Sequence, residues 1–176
     1  LDSFHVRCKE DVGLDKEQSD LCLLYLRALG DVVYFEDRDL RDYIFLDHNW
    51  LTEGVYYILV DTEIEKAKGK FTQGQAFAKW EEQGYSEEAK SMLLRLMLRN
   101  QFDLCYEVSA DSFITPLLLP VDRPKSAQPL EASLHFRFQY GFMPHGMFSR
   151  AIVRLHEMID GEKRWKSGVL LINKKS

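Results

Sequence analysis

From Leu14 onward apolar residues recur at helical spacing, with Leu21, Leu24, Tyr25 and Ala28 on one stripe. Asp15 precedes them as an N-cap, Glu17 lies in the first turn, and Gly30 closes the run. The pattern then shortens. Val32 to Phe35 and Tyr43 to Leu46 are two apolar runs around an Asp/Arg-rich connection, which predicts a β-hairpin. Both runs are apolar on alternating faces, so the hairpin needs a cover on each side, one of them its own helical core. A second helix is expected from His48 to about Val60.

The scheme recurs in 86–115, where a helix stopped by Asn100 leads to a strand, a polar turn at Ala110 to Ser112, and a second strand. At an offset of 70 positions Leu23, Leu24, Leu26 and Ile44 meet Leu93, Leu94, Leu96 and Ile114, and Gly30 meets Asn100. The expectation is two winged-helix-like units of helix plus hairpin, at about 14–60 and 71–119. Pro116, Pro120, Pro124 and Pro129 then disfavour both helix and central strand, and place a domain boundary at 121–130.

Beyond it, Leu134, Phe136, Phe138 and Tyr140 alternate with His135, Arg137 and Gln139, the pattern of a strand wet on one face. Pro144 stands near the start of a predicted helix whose stripe is Met147, Phe148, Ala151, Ile152, Leu155 and Ile159, with Arg150, Arg154 and Glu157 opposite. A turn at Asp160 and Gly161 and a strand over 164–172 complete the pattern. The fold class is α+β: a helical first subdomain over 1–120, and over 131–176 the opening of a second one built on an antiparallel sheet.

Composition narrows the function. With 45% hydrophobic and 12% aromatic residues, 176 residues can bury a core. No apolar run is long enough to span a bilayer, and the N-terminus lacks the layout of a signal peptide, so a cytoplasmic protein is expected. A net charge of −5 with no basic cluster argues against nucleic acid. Cys8, Cys22 and Cys105 are odd in number and far apart, which suggests neither a disulfide framework nor a zinc ribbon. The chain opens at Leu1 without methionine and stops after a strand-like run, and is read as a fragment.

Candidate chemistry is sparse. The triplet Asp47, His48 and Asn49 interrupts the apolar stretch YIFLDHNWL and could be read as a metal or proton-transfer site. No second cluster at ligand spacing supports that reading, whereas an Asp between a strand and a helix fits an N-cap, with His48 at the first helical position. The chain holds no phosphate loop, dinucleotide fingerprint, nucleophile elbow or kinase signature, and the DTEIE and EE runs are solvated faces. No catalytic, metal or cofactor-binding residue is assigned.

Taken in order, LYLRALGDVVYFEDRDLRDYIFLDHNWL, RLMLRNQFDLCYEVSADSFITPLLLPVDRP and FRFQYGFMPHGMFSRAIVRLHEMI followed by RWKSGVLL resemble the COR ("C-terminal of Roc") region of Roco proteins. The resemblance runs from about Phe4 to the end, and makes 1–120 the first COR subdomain and 131–176 the start of the second. Where the family has Pro after the capping Asp, this chain has His48, and IDGEKRW is shorter than the usual family connection.

The resemblance implies a non-catalytic module that contacts a Ras-like Roc GTPase domain just N-terminal to it and forms homodimers. GTP or GDP with Mg would sit on that domain and not on this chain, and leucine-rich repeats or a kinase can flank it. Phe35, Tyr43, Ile44 and Phe45 are the expected GTPase-docking residues, and Leu134, Phe136, Phe138, Phe148 and Arg150 mark the expected dimerisation region. Two other classes compete. A tandem winged-helix nucleic-acid binder would need a basic recognition helix, yet the helix from Asp15 to Leu29 carries Asp15, Glu17 and Asp20 against Lys16 and Arg27 and is net acidic. A hydrolase would need a His beside a Cys or carboxylate in a cleft.

Overall fold

Helix boundaries in this chain are written in its caps. In the computed structural model, which describes residues 1–36, 40–98, 102–127, 136–142 and 146–172, Asp15 accepts from the Gln18 amide at 2.9 Å while Gln18 returns the bond to the Asp15 amide at 3.0 Å. This reciprocal box starts α2 (Lys16–Leu29), and Gly30 at φ 83 ends it by turning two amides back onto Leu26 and Arg27. Helix α1 (Asp2–Val12), which the sequence reading leaves unassigned, ends in the same way at Gly13. The chain divides into two compact units, Leu1–Gly54 and Val55–Ser176.

In the first unit α1 packs on α2, and a short antiparallel ladder pairs β1 (Val33–Tyr34) with β2 (Ile44–Phe45). The predicted hairpin is present, with Val32, Leu40 and Phe45 buried. The stripe on α2 is a correction. Leu21, Leu24 and Tyr25 are 67%, 46% and 66% exposed, and the buried positions are Ser19 and Leu23. Helix α2 carries two apolar stripes, and period alone does not say which one faces the core. Helix α3 (His48–Leu59) begins in this unit and ends in the next.

The second unit opens with α4 (Thr62–Lys66), capped by the Asp61 carboxylate on the Ile64 amide at 2.8 Å. Burial alone would raise the Asp61 pKa, but the hydrogen bond from Lys79 and those from backbone amides outweigh it and hold the carboxyl below its ordinary value. Lys68 at φ 57 and Gly69 at φ 79 reverse the chain into β3 (Lys70–Thr72). Gly69 is required there, because a Cβ would collide with the Thr115 carbonyl oxygen. Helices α5 (Gln73–Glu82) and α6 (Glu87–Met97) follow, started by Thr72 and Ser86, with Trp80 fully buried. The chain continues through β4 (Tyr106–Ser109) and β5 (Ser112–Ile114) around a turn at Ala110 and Asp111.

Strand β3 pairs with β5, giving an antiparallel sheet of order β3-β5-β4. Phe71 stacks on Phe113 directly across it at 5.6 Å. The sequence reading did not assign this third strand.

Past the prolines the outline departs further from expectation. Phe136 to Tyr140, the described part of the predicted 134–140 strand, pairs with no strand among the described residues, and Phe136, Phe138 and Tyr140 are 77%, 75% and 54% exposed. Alternation says which faces a strand would present, not whether a partner strand is available. Helix α7 (Met147–Arg154) is shorter than its apolar stripe, and Ile159 opens a strand, β6 (Ile159–Trp165). Asp160 and Gly161 are not a turn. The ladder shifts register between Ile159 and Arg164, where Gly161 at φ 57 takes up a bulge, and the turn to β7 (Gly168–Leu171) is Lys166 and Ser167. Asn100, Pro129, Leu134, His135, Pro144 and His145 lie outside the described residues.

Candidate interaction surfaces

Asp47 sits between β2 and α3, and its Oδ1 accepts from the amides of Asn49 at 2.8 Å and Trp50 at 3.1 Å. His48 and Asn49 are exposed, and no group of metal-ligating side chains gathers among the described residues. Asp47→Ala should therefore cost about 1 kcal/mol of stability, in line with other lost N-caps. Chemical denaturation measures that cost, and Asp47→Asn should recover most of it.

The four predicted docking residues have different environments. Phe45 is buried and meets Phe35 edge-on at 6.1 Å, so it belongs to the core of the hairpin. Phe35, Tyr43 and Ile44 are half-buried. The same unit exposes Leu21, Leu24, Tyr25 and Leu29 on α2, a contiguous apolar stripe at helical spacing. Neither α2 nor α6 has a basic surplus: α6 carries Glu87 and Glu88 against Lys90 and Arg95, and Lys90 is buried with its ammonium on Glu81 and Glu87.

Among the described residues one histidine meets a carboxylate. His5 Nε2 lies 2.7 Å from Asp20 Oδ1, tying α1 to α2. Among the described residues no serine, threonine or cysteine hydrogen-bonds to the pair, which serves as a helix–helix contact. Burial pushes the Cys105 thiol up, away from the thiolate form that nucleophilic attack needs.

A second cluster links distant parts of the chain. Tyr106, Ile114 and Leu119 share one buried cluster with Ile152, Val153 and Ile159, and Val169 packs against it. At its edge His156 stacks on Tyr106 at 4.8 Å, and Asp103, 2% exposed, receives Arg154 Nε at 2.8 Å and Nη2 at 2.7 Å on the same oxygen. Burial raises the Tyr106 pKa, opposed by the nearby Arg164. The only sequence signal for this ion pair was an aspartate set between Phe102 and Leu104. Phe148 and Arg150 lie on the exposed side of α7, and Phe136 and Phe138 are exposed as well.

Residues 1–119 match the family model described as C-terminal of Roc, COR-A domain, and residues 131–176 match that described as C-terminal of Roc, COR-B domain. The chain belongs to the COR family of Roco proteins. A Roc-COR-CHAT protease of Runella zeae is 31% identical over 173 residues, covering 97% of this chain and 18% of that protein. The probable serine/threonine-protein kinase pats1 of Dictyostelium discoideum is 26% identical over 165 residues, covering 84% of this chain and 5% of its own length. The chain thus spans less than a fifth of the curated relatives it matches.

Among solved structures, Methanosarcina barkeri Roco2 RocCORdC bound to GDP aligns with a TM-score of 0.58 at 30% identity, over 68% of this chain and 38% of that one. On this division the buried cluster joins the COR-A match, through Tyr106, Ile114 and Leu119, to the COR-B match, through Ile152, Val153 and Ile159. The motif WxxG of the COR-B part acquires a physical reason. Trp165 pairs with Gly168 across the β6–β7 turn, and a Cβ on Gly168 would run into the indole.

Proposed function

We propose that this COR segment is a non-catalytic regulatory and dimerisation module, which contacts an adjacent Ras-like Roc GTPase domain of the same protein and couples its nucleotide state to dimerisation. The family match over both COR parts carries the reading. Support comes from the GDP named for the Methanosarcina barkeri structure, which fits nucleotide bound on the Roc domain and not on this chain. No helix is long and apolar enough to cross a membrane among the described residues, which is compatible with a cytoplasmic signalling role. The partition into 1–120, a linker at 121–130 and 131–176 belongs to the same proposal.

The docking surface for the GTPase is assigned to Phe35, Tyr43 and Ile44 together with the α2 stripe Leu21, Leu24 and Tyr25. Phe45 supports it from within. The dimer surface is assigned to the region of Leu134, Phe136, Phe138, Phe148 and Arg150, where aromatic side chains stand in water. Symmetric pairing is the commonest solution for soluble homo-oligomers. Sedimentation of the COR-containing protein tests this part: Phe136→Asp with Phe138→Asp should weaken self-association by about tenfold or more, as for centrally placed interface aromatics. A dimer of unchanged affinity would contradict the assignment.

A further inference from the structure

Five cations line one cavity in the Val55–Ser176 unit; Lys125, from the proline-rich segment, has a partner of its own, which leaves four. The cavity, of about 460 Å³, is lined by Lys68 and Lys70 from the turn into β3, Arg123 from the proline-rich segment and Arg164 from β6. Its volume falls in the range of ligand sites. Among the described residues none of these four forms an ion pair. Asp122 and Glu162 also line the cavity without reaching them. In a chain of net charge −5, this local surplus of positive charge is a matter of placement and not of composition.

Two of the cations are held in position. The Arg123 guanidinium carbon sits 5.2 Å from the centroid of the Trp165 ring, and that ring has its place because Gly168 has no side chain. Arg164 Nη1 donates to the Gly161 carbonyl at 3.0 Å. The lysine turn is fixed as well, since the Thr115 amide donates to the Gly69 carbonyl at 2.9 Å. Preorganised groups lose less entropy when a ligand arrives.

The turn also says what kind of anion fits. The amides of Lys68, Gly69 and Lys70 already donate to the carbonyls of Glu65, Ile64 and Ala67 at 2.8, 2.8 and 3.2 Å. That turn therefore offers no cradle of free amides to a compact phosphate. Recognition falls to side-chain cations spread over three chain segments, around the apolar side chains of Ile114 and Leu119, which are nearly buried. Carboxylates spaced along an extended chain match that layout, with an aliphatic side chain between them to cover the floor.

We propose that this cavity is the docking site for an acidic peptide segment of a partner, its carboxylates on Lys68, Lys70, Arg123 and Arg164 and an apolar side chain over Ile114 and Leu119. The proposal is independent of the GTPase-docking surface, which uses residues of the Leu1–Gly54 unit.

Fluorescence polarisation with the 176-residue chain and a short labelled peptide of alternating Glu and Leu tests it. Binding should weaken with added salt, and the matching Gln/Leu peptide should bind about tenfold or more weakly. Lys70→Glu with Arg123→Glu should weaken binding by a similar factor of about ten, with an unchanged melting temperature. If that pair lowers the melting temperature, the exposed Lys68→Gln alone still distinguishes the outcomes, with an expected loss of about threefold. Absence of binding at about millimolar peptide, well beyond the range of specific recognition, would overturn the proposal. So would equal binding of the Gln/Leu peptide, indifference to these substitutions, or displacement of the peptide by inorganic pyrophosphate at lower concentration than by unlabelled Glu/Leu peptide.

Discussion

Ile152→Ala should destabilise the Val55–Ser176 unit by about 2–5 kcal/mol, the usual cost of emptying a fully buried aliphatic position. Ile152 and Val153 are 0% exposed, and they share their cluster with Tyr106 and Ile114 of the β4–β5 hairpin. The loss should therefore reach residues more than thirty positions away in sequence. Hydrogen exchange would register it as reduced protection of the hairpin amides, alongside a lower midpoint in urea. A cost below about 1 kcal/mol, typical of partly exposed sites, would mean that the COR-B opening does not share a core with COR-A. The same packing bears on how dimerisation is tested. A chain ending near Pro129 would strip Ile152, Val153 and Ile159 from Tyr106, Ile114 and Leu119, so surface substitutions are the cleaner probe.

The second large effect is expected at Arg154. Its guanidinium places two nitrogens on one oxygen of Asp103, whose side chain is 2% exposed while that of Arg154 is 66% exposed. Removing the cation takes a charge-assisted contact from a buried carboxylate, and the cost should be about 2–3 kcal/mol, below that of a fully buried pair because water reaches the arginine side. Arg154→Lys keeps the charge but offers one donor centre in place of the planar fork, so it should fall between wild type and Arg154→Ala. A double-mutant cycle with Asp103→Asn isolates the pair. Coupling within about 0.3 kcal/mol of zero, the range of independent sites, would show that the contact does not hold the two COR parts together.

Local chemistry was legible in the sequence and tertiary partnership was not. Asp15, Gly30 and Asp47 mark the ends of helices by short-range hydrogen bonds that depend on their own neighbours. The two hairpins were readable for the same reason. The inward face of α2 was not, because Leu23 and Leu24 are chemically alike and only packing separates 2% from 46% exposure. The same limit applies to the 70-residue offset, in which Leu24 is exposed and its counterpart Leu94 is buried. Phe136 to Tyr140 alternate as a strand would, yet a strand also needs a neighbour. At Gly161 the glycine suggested a turn, whereas its positive φ lies at a register shift inside β6, because both structures use that conformation. Arg123 on Trp165 and Arg154 on Asp103 join residues far apart in the chain, and periodicity carries no information about such pairs.

Association with the Roc domain is the most direct test of the account. The Roc domain proposed to precede this segment, separately purified and loaded with GDP or with a non-hydrolysable GTP analogue, should bind the 176-residue chain in a calorimetric titration, with affinities that differ between the two nucleotides. Ile44→Ala combined with Leu24→Asp should weaken that binding by about tenfold or more, as for hot-spot positions, without loss of helical signal. No association in either nucleotide state, or binding indifferent to both substitutions and to nucleotide, would contradict it.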